Sequence, residues 1–129
     1  MTQLDHFILK VNDLEPSIEF YTGIMGFHFA GMDGPFAVIK VSECFQIQLA
    51  AFGTPGFEHY AFAVSEVNFH AIFQRVQQAN IEYGAAYDNV GSGTGPAMVT
   101  GARGEALTVY FNDPNQHLIE IKAYELSAD

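Results

Sequence analysis

The sequence predicts an α+β fold of two tandem β-α-β-β-β modules, and three observations carry that prediction. One order of elements occurs twice along 129 residues. At the start of each copy Asp5-His6-Phe7 falls on Glu58-His59-Tyr60 and Val11 on Val64, a constant offset of 53 residues (6 to 59, 11 to 64). At the end of each copy Phe45-Gln46-Ile47-Gln48-Leu49 falls on His117-Leu118-Ile119-Glu120-Ile121, an offset of 72 (48 to 120). The second copy is therefore longer by 19 residues (53 against 72), and the extra length lies in the Gly-rich tract between Gly84 and Gly104. Module 1 is placed at residues 1–52 and module 2 at 57–125, within one domain spanning 1–129.

Each element follows from local pattern. Leu4 to Val11 alternates as a strand, with Leu4, His6 and Ile8 on one face and Phe7, Leu9 and Val11 on the other. Asp13 can cap a helix with Leu14, Ile18, Tyr21 and Ile24 or Met25 at helical spacing, stopped by Gly23 and Gly26. Three strands follow, near Phe27 to Met32, Phe36 to Val41 and Cys44 to Ala51. Cys44 reads as a buried small hydrophobe. The order then restarts with a strand from Phe57 to Val64 and a helix capped by Ser65, carrying Phe69, Ile72, Phe73 and Val76 and closing at Asn80. Gly91 to Pro96 reads as a flexible lid or connector, because it lacks the spacing and following helix of a phosphate cradle. Thr108 to Ile121 reads as two antiparallel strands joined at Asp113-Pro114, with Asp113 and Pro114 in the first two places of a type I turn. Leu118, Glu120 and Lys122 then share one face, which puts a carboxylate among apolar neighbours and demands a partner for it.

Composition narrows the partners. Fifteen acids against five Lys and Arg give a formal charge of -10, and no basic stripe exists, so nucleic acid and anionic membrane surfaces are not expected. No run is long enough to cross a bilayer, the first strand starts almost at Met1, and the single cysteine fits a reducing compartment, so the expected location is cytoplasmic. Among the five cations Arg103 stands between Gly101 and Gly104, where a planar fork beside a pocket would orient an anionic ligand.

The repeat makes His6 and His59 equivalent on the first strands, and Gln48 and Glu120 equivalent on the last. Two copies related by a pseudo-two-fold would bring these four toward one axis, where His6, His59 and Glu120 can converge on a divalent metal ion. His28, His70 and His117 lack repeat partners of that kind and read as surface or supporting groups.

Taken together, Leu4-Asp5-His6, Val11-Asn12-Asp13-Leu14, Phe20-Tyr21, Met25-Gly26-Phe27, Glu58-His59-Tyr60-Ala61-Phe62 and Tyr110-Phe111-Asn112-Asp113-Pro114 with Leu118-Ile119-Glu120 resemble the vicinal oxygen chelate superfamily. That superfamily includes glyoxalase I, extradiol dioxygenases, fosfomycin-resistance enzymes and bleomycin-resistance proteins. The resemblance implies sheets curled around a cavity, often in a homodimer, and a site for a small-molecule substrate. It implies a metal such as nickel, zinc, manganese or iron on His6, His59 and Glu120, with a net charge of +1. Catalytic roles then fall to Glu120 and Gln48, and substrate binding to Arg103 and Tyr110. Gln48 stands where glyoxalase I usually has a second carboxylate, and so serves as a weak neutral ligand or hydrogen-bond donor. Gly101-Ala102-Arg103 stands where extradiol dioxygenases place a histidine, Gln116 replaces their usual Gly, and Ile8 replaces the Thr of thiol-transferring fosfomycin enzymes. The expected activity is that of a glyoxalase-like lyase or isomerase stabilising an enediolate-like intermediate. An extradiol-type dioxygenase and a drug-binding protein without turnover are the alternatives.

Overall fold

The alternation of Leu4 to Val11 becomes β1 (His6–Lys10), a strand that pairs in parallel with β4 (Gln46–Ala50). Between them run α1 (Leu14–Glu19), β2 (His28–Asp33) and β3 (Phe36–Lys40), and the sheet order is β1-β4-β3-β2. The computed structural model describes residues 1–127. This first unit, Met1–Gly56, buries Leu9, Ala37, Ile39, Ile47 and Leu49 on the sheet face that α1 covers, together with Phe20, Tyr21 and Met25. Each large apolar side chain so buried contributes about 1.5–3 kcal/mol. The opposite face carries His6, Ile8 and Lys10 in the open.

The first helix is shorter than its apolar spacing predicts. After Glu19 the chain widens into a π-helical turn over Phe20–Ile24, closed by the Met25 amide donating to the Phe20 carbonyl at 3.2 Å. The wider turn keeps both Tyr21 and Met25 buried. Asp13 holds the extended cap conformation but its side chain makes no capping bond. Cys44, expected in a buried strand position, is exposed in the turn before β4, because the strand starts two residues later.

The second unit begins at Phe57 and repeats the plan. β5 (His59–Ala63) pairs in parallel with β9 (Leu118–Ala123), which pairs antiparallel with β8 (Gly104–Asn112). Between them α2 (Glu66–Gln78) packs Phe69, Ile72 and Val76 inward. Ser65 caps this helix by accepting from the Asn68 amide at 3.2 Å, and Asn80 ends it in the left-handed region at φ 57°. Two further strands flank the tract Gly91 to Pro96, β6 (Tyr83–Gly84) before it and β7 (Ala97–Gly101) after it, both paired with β8. Most of the added length of module 2 thus leads into and completes a hairpin, since β7 and β8 need only the Ala102-Arg103 tip between them.

The duplication holds rung by rung. Ile8 sits opposite Gln48 in unit 1, and Ala61 sits opposite Glu120 in unit 2, so the two offsets found in sequence describe one register used twice. Among the described residues no helix is long and apolar enough to cross a membrane.

Candidate metal and substrate site

Three consecutive rungs of unit 2 build the site. On one face of the sheet His59 lies beside Leu118 and Asn112, Ala61 beside Glu120 and Tyr110, and Ala63 beside Lys122 and Thr108. Small residues on β5 leave space above the central strand, where unit 1 carries Ile8 and Lys10 at the equivalent places. The result is a cleft of about 570 Å³ floored by Ala61, Ala63, Tyr110, Glu120 and Lys122 and walled by the β7–β8 hairpin and Tyr124.

Glu120 has more partners than sequence supplies. Its Oε2 accepts from Lys122 Nζ at 2.8 Å, and its Oε1 stands 3.2 Å from His59 Nε2. Lys122 Nζ also donates to Thr108 Oγ1 at 2.7 Å, and that hydroxyl donates to the Ala106 carbonyl at 2.9 Å. The Tyr110 ring stands on the rung beside Glu120. Burial first, then the negative charge of the neighbouring Glu120, push the Tyr110 phenol above its ordinary value of 10.0. Tyr110 therefore stays a proton-bearing donor at neutral pH.

The imidazole of His59 is fixed from behind. Its Nδ1 lies 3.1 Å from the Leu118 carbonyl, which only accepts, so Nδ1 carries the hydrogen. Its ring stacks on Tyr110 with centroids 6.3 Å apart and planes at 21°. Nε2 then faces a carboxylate oxygen across 3.2 Å, and that gap is favourable only when it holds positive charge, as a second proton or as a cation. Two donors about 2.1 Å from one ion and side by side stand about 3 Å apart. A histidine that gives its other nitrogen to a backbone carbonyl is the usual form of a metal ligand. The pair fits a divalent cation.

The structure brings Glu120, Tyr110 and Arg103 to one cleft and sets His59 against Glu120. Arg103 occupies the tip of the β7–β8 hairpin, its guanidinium stacked 4.2 Å over the Tyr124 ring and without a carboxylate partner among the described residues. A Cβ on Gly101 would overlap Lys122 Cε and the Tyr124 hydroxyl, so a larger residue there would displace those side chains. His6 and Gln48 belong to unit 1, where His6 Nδ1 lies 2.7 Å from Asp5 and Gln48 is half-buried beside Ile8. Among the described residues no group of three or more His, Cys, Asp or Glu side chains gathers as an ion site.

A family model described as the Glyoxalase/Bleomycin resistance protein/Dioxygenase superfamily matches residues 3–121. The chain belongs to this superfamily. Within the Glyoxalase/Bleomycin resistance protein/Dioxygenase superfamily it is 28% identical to the virulence protein STM3117 of Salmonella typhimurium, over 95% of this chain and 84% of that protein. It is 25% identical to the glutathione transferase FosA of Serratia marcescens, over 99% and 85%. The solved structure of oxidase ChaP-H2 superposes with a TM-score of 0.78 at 29% identity, covering 98% and 96% of the two chains.

One residue of this site escapes the sequence reading. Lys122 is 4% exposed and adds a positive charge beside Glu120 that the expected net charge of +1 omits. Its signal is the alternation that puts it on the Glu120 face, combined with an inner strand that denies it water. His117, expected as a surface or supporting group, is fully buried. Its Nδ1 accepts from the Glu58 amide at 3.3 Å, which ties β5 to the turn before β9 and so helps to place His59.

Proposed function

We propose that the chain is a metal-dependent enzyme acting, as a homodimer, on a small anionic substrate that presents two adjacent oxygens. The observation that carries this reading is the His59 Nε2–Glu120 Oε1 pair, closed behind by the Leu118 carbonyl and open in front to solvent. His6, the repeat equivalent of His59, is the third ligand of the proposal. The His6 and His59 side chains are 45% and 47% exposed, and no three-ligand group forms among the described residues, so a second copy is the proposed source of His6.

A bound divalent ion would supply Lewis acidity, polarising the substrate oxygens. The chain's own residues do the rest. Tyr110 offers its phenol proton to an oxygen of the substrate, and Lys122 keeps a positive charge beside the carboxylate. Arg103, stacked on Tyr124 at the mouth of the cleft, holds the anionic end with two parallel bonds. Gln48 stands as a neutral group where a second carboxylate would sit, and is assigned to orienting substrate. FosA is a glutathione transferase and ChaP-H2 an oxidase, so one fold carries different reactions, and the metal discriminates between them. Iron would favour oxygen chemistry, whereas nickel, zinc or manganese would favour a lyase or isomerase.

The test measures metal by elemental analysis in wild type, His6→Ala, His59→Ala and a mixture of the two variants refolded together. Wild type should hold a divalent ion, each variant should lose it, and the mixture should regain part of it, because mixed dimers keep one complete ligand set. No metal in wild type removes the reading. Loss in both variants without recovery on mixing puts the three ligands in one chain and removes the homodimeric site.

A further inference from the structure

Lys122 is the buried cation of the β5–β9–β8 face. It is 4% exposed, and its ammonium is held on two sides, by Glu120 Oε2 at 2.8 Å and by Thr108 Oγ1 at 2.7 Å. Thr108 is itself fully buried and anchored to the Ala106 carbonyl. Gly101 closes over the lysine stem, so that a Cβ there would press on Lys122 Cε and force it to shift. These contacts hold the ammonium against the carboxylate oxygen.

We infer that Lys122 is a positioning residue that reserves Glu120 Oε2 and leaves Oε1 alone to face His59 and a cation. This rests on the metal reading above, and it specifies that site in two respects. A carboxylate pinned through one oxygen offers a cation one donor instead of two, so a position that the second oxygen would occupy stays free for substrate. The ammonium also adds unit charge next to the ion, which weakens cation binding and strengthens binding of an anion at the same centre. The geometry therefore favours capture of a doubly oxygenated anion over maximal metal affinity. Thr108 acts through Lys122, by holding its far side.

Cobalt(II) binding to the full-length protein reads this directly, since the visible absorption of the ion weakens as its coordination number rises. Lys122→Met should bind cobalt about tenfold more tightly than wild type, from loss of the neighbouring charge. Its visible band should weaken as Glu120 offers both oxygens. Lys122→Arg, which keeps the charge and the donors, should return both values toward wild type. Thr108→Val, which keeps the lysine and conserves volume, should move both in the same direction as Lys122→Met but less, and it decides the matter if Lys122→Met does not fold. Cobalt affinity within about twofold of wild type and an unchanged spectrum in Lys122→Met, or in Thr108→Val where Lys122→Met does not fold, would overturn the role of Lys122 while leaving the metal site standing. Absence of cobalt binding in wild type would overturn both.

Discussion

Neutralising Glu120 and Lys122 singly and together should give a strongly non-additive stability cycle. The two side chains are 11% and 4% exposed and their charges are 2.8 Å apart. At an effective dielectric constant of about 20, two unit charges at that separation attract by about 6 kcal/mol, and desolvation offsets most of it. Either charge left alone keeps its desolvation cost without the compensation. Lys122→Met should therefore cost about 3–5 kcal/mol. Glu120→Gln should fall at the low end of that range, because the amide oxygen still accepts from the ammonium. The double variant should recover to within about 1–2 kcal/mol of wild type, since a neutral amide beside an apolar chain buries no charge. Unfolding entropy of about 2.1 cal/mol/K per residue makes a loss of 4 kcal/mol a fall of about 15 °C in Tm for this length. Urea melts of chelator-treated protein measure all four corners, with equal slopes required before midpoints are compared. Single losses below about 1 kcal/mol, or losses that add within about 0.5 kcal/mol, would refute the argument that this pair is desolvated.

Three other outcomes follow from single residues. Arg103→Lys should raise KM for an anionic substrate about tenfold, the loss of one charge-assisted bond, with metal content and Tm unchanged; unaltered kinetics in both Arg103→Lys and Arg103→Ala would remove Arg103 from the site. Tyr110 holds its proton above the ordinary value of 10.0, so its contribution to stability is fully present below that pH and is lost as pH rises through the raised value. Alkaline titration by phenolate absorbance, compared with Tyr110→Phe, should show Tyr110 ionising late, and an early phenolate step lost in Tyr110→Phe contradicts its burial. Gln116 sits in the left-handed region at φ 68° and is exposed, so Gln116→Gly should stabilise by about 1 kcal/mol, near 4 °C in Tm; a lower Tm would show that its side chain makes a bond worth more than the strain.

The repeat was the most legible feature because period-2 alternation fixes which residues share a face, and two constant offsets fix the register that β1–β4 and β5–β9 adopt. The Asp113 turn was equally readable: Asp113 accepts from the Asn115 and His117 amides at 2.8 and 2.9 Å, and Gln116 donates to its carbonyl at 3.2 Å. The cleft was not readable. It depends on Ala61 and Ala63 being small opposite Glu120 and Lys122, a cross-strand relation that no local window contains. β7 was hidden by the glycines around it, since its pairing with β8 comes from register and not from its own apolar pattern. For His117 the sequence left surface and supporting roles both open, and its burial under the start of β5 comes from a contact 59 residues away in the chain.

Lysine placement separates the two units in another way. Lys10 in unit 1 is the repeat equivalent of Ala63, and Lys122 in unit 2 is the repeat equivalent of Ala50, so each module puts an ammonium on the same rung but on opposite strands of the parallel pair. β1 is the outer strand of its sheet and Lys10 is exposed; β9 is an inner strand and Lys122 is buried. On an outer strand such a charge discourages further strand addition and costs little. Moved one strand inward it needs a carboxylate, a hydroxyl and a glycine to make room, all of which unit 2 provides. The two modules thus carry one ammonium each on the same rung, in the open on the outer strand of one and desolvated between Glu120 and Thr108 on the inner strand of the other.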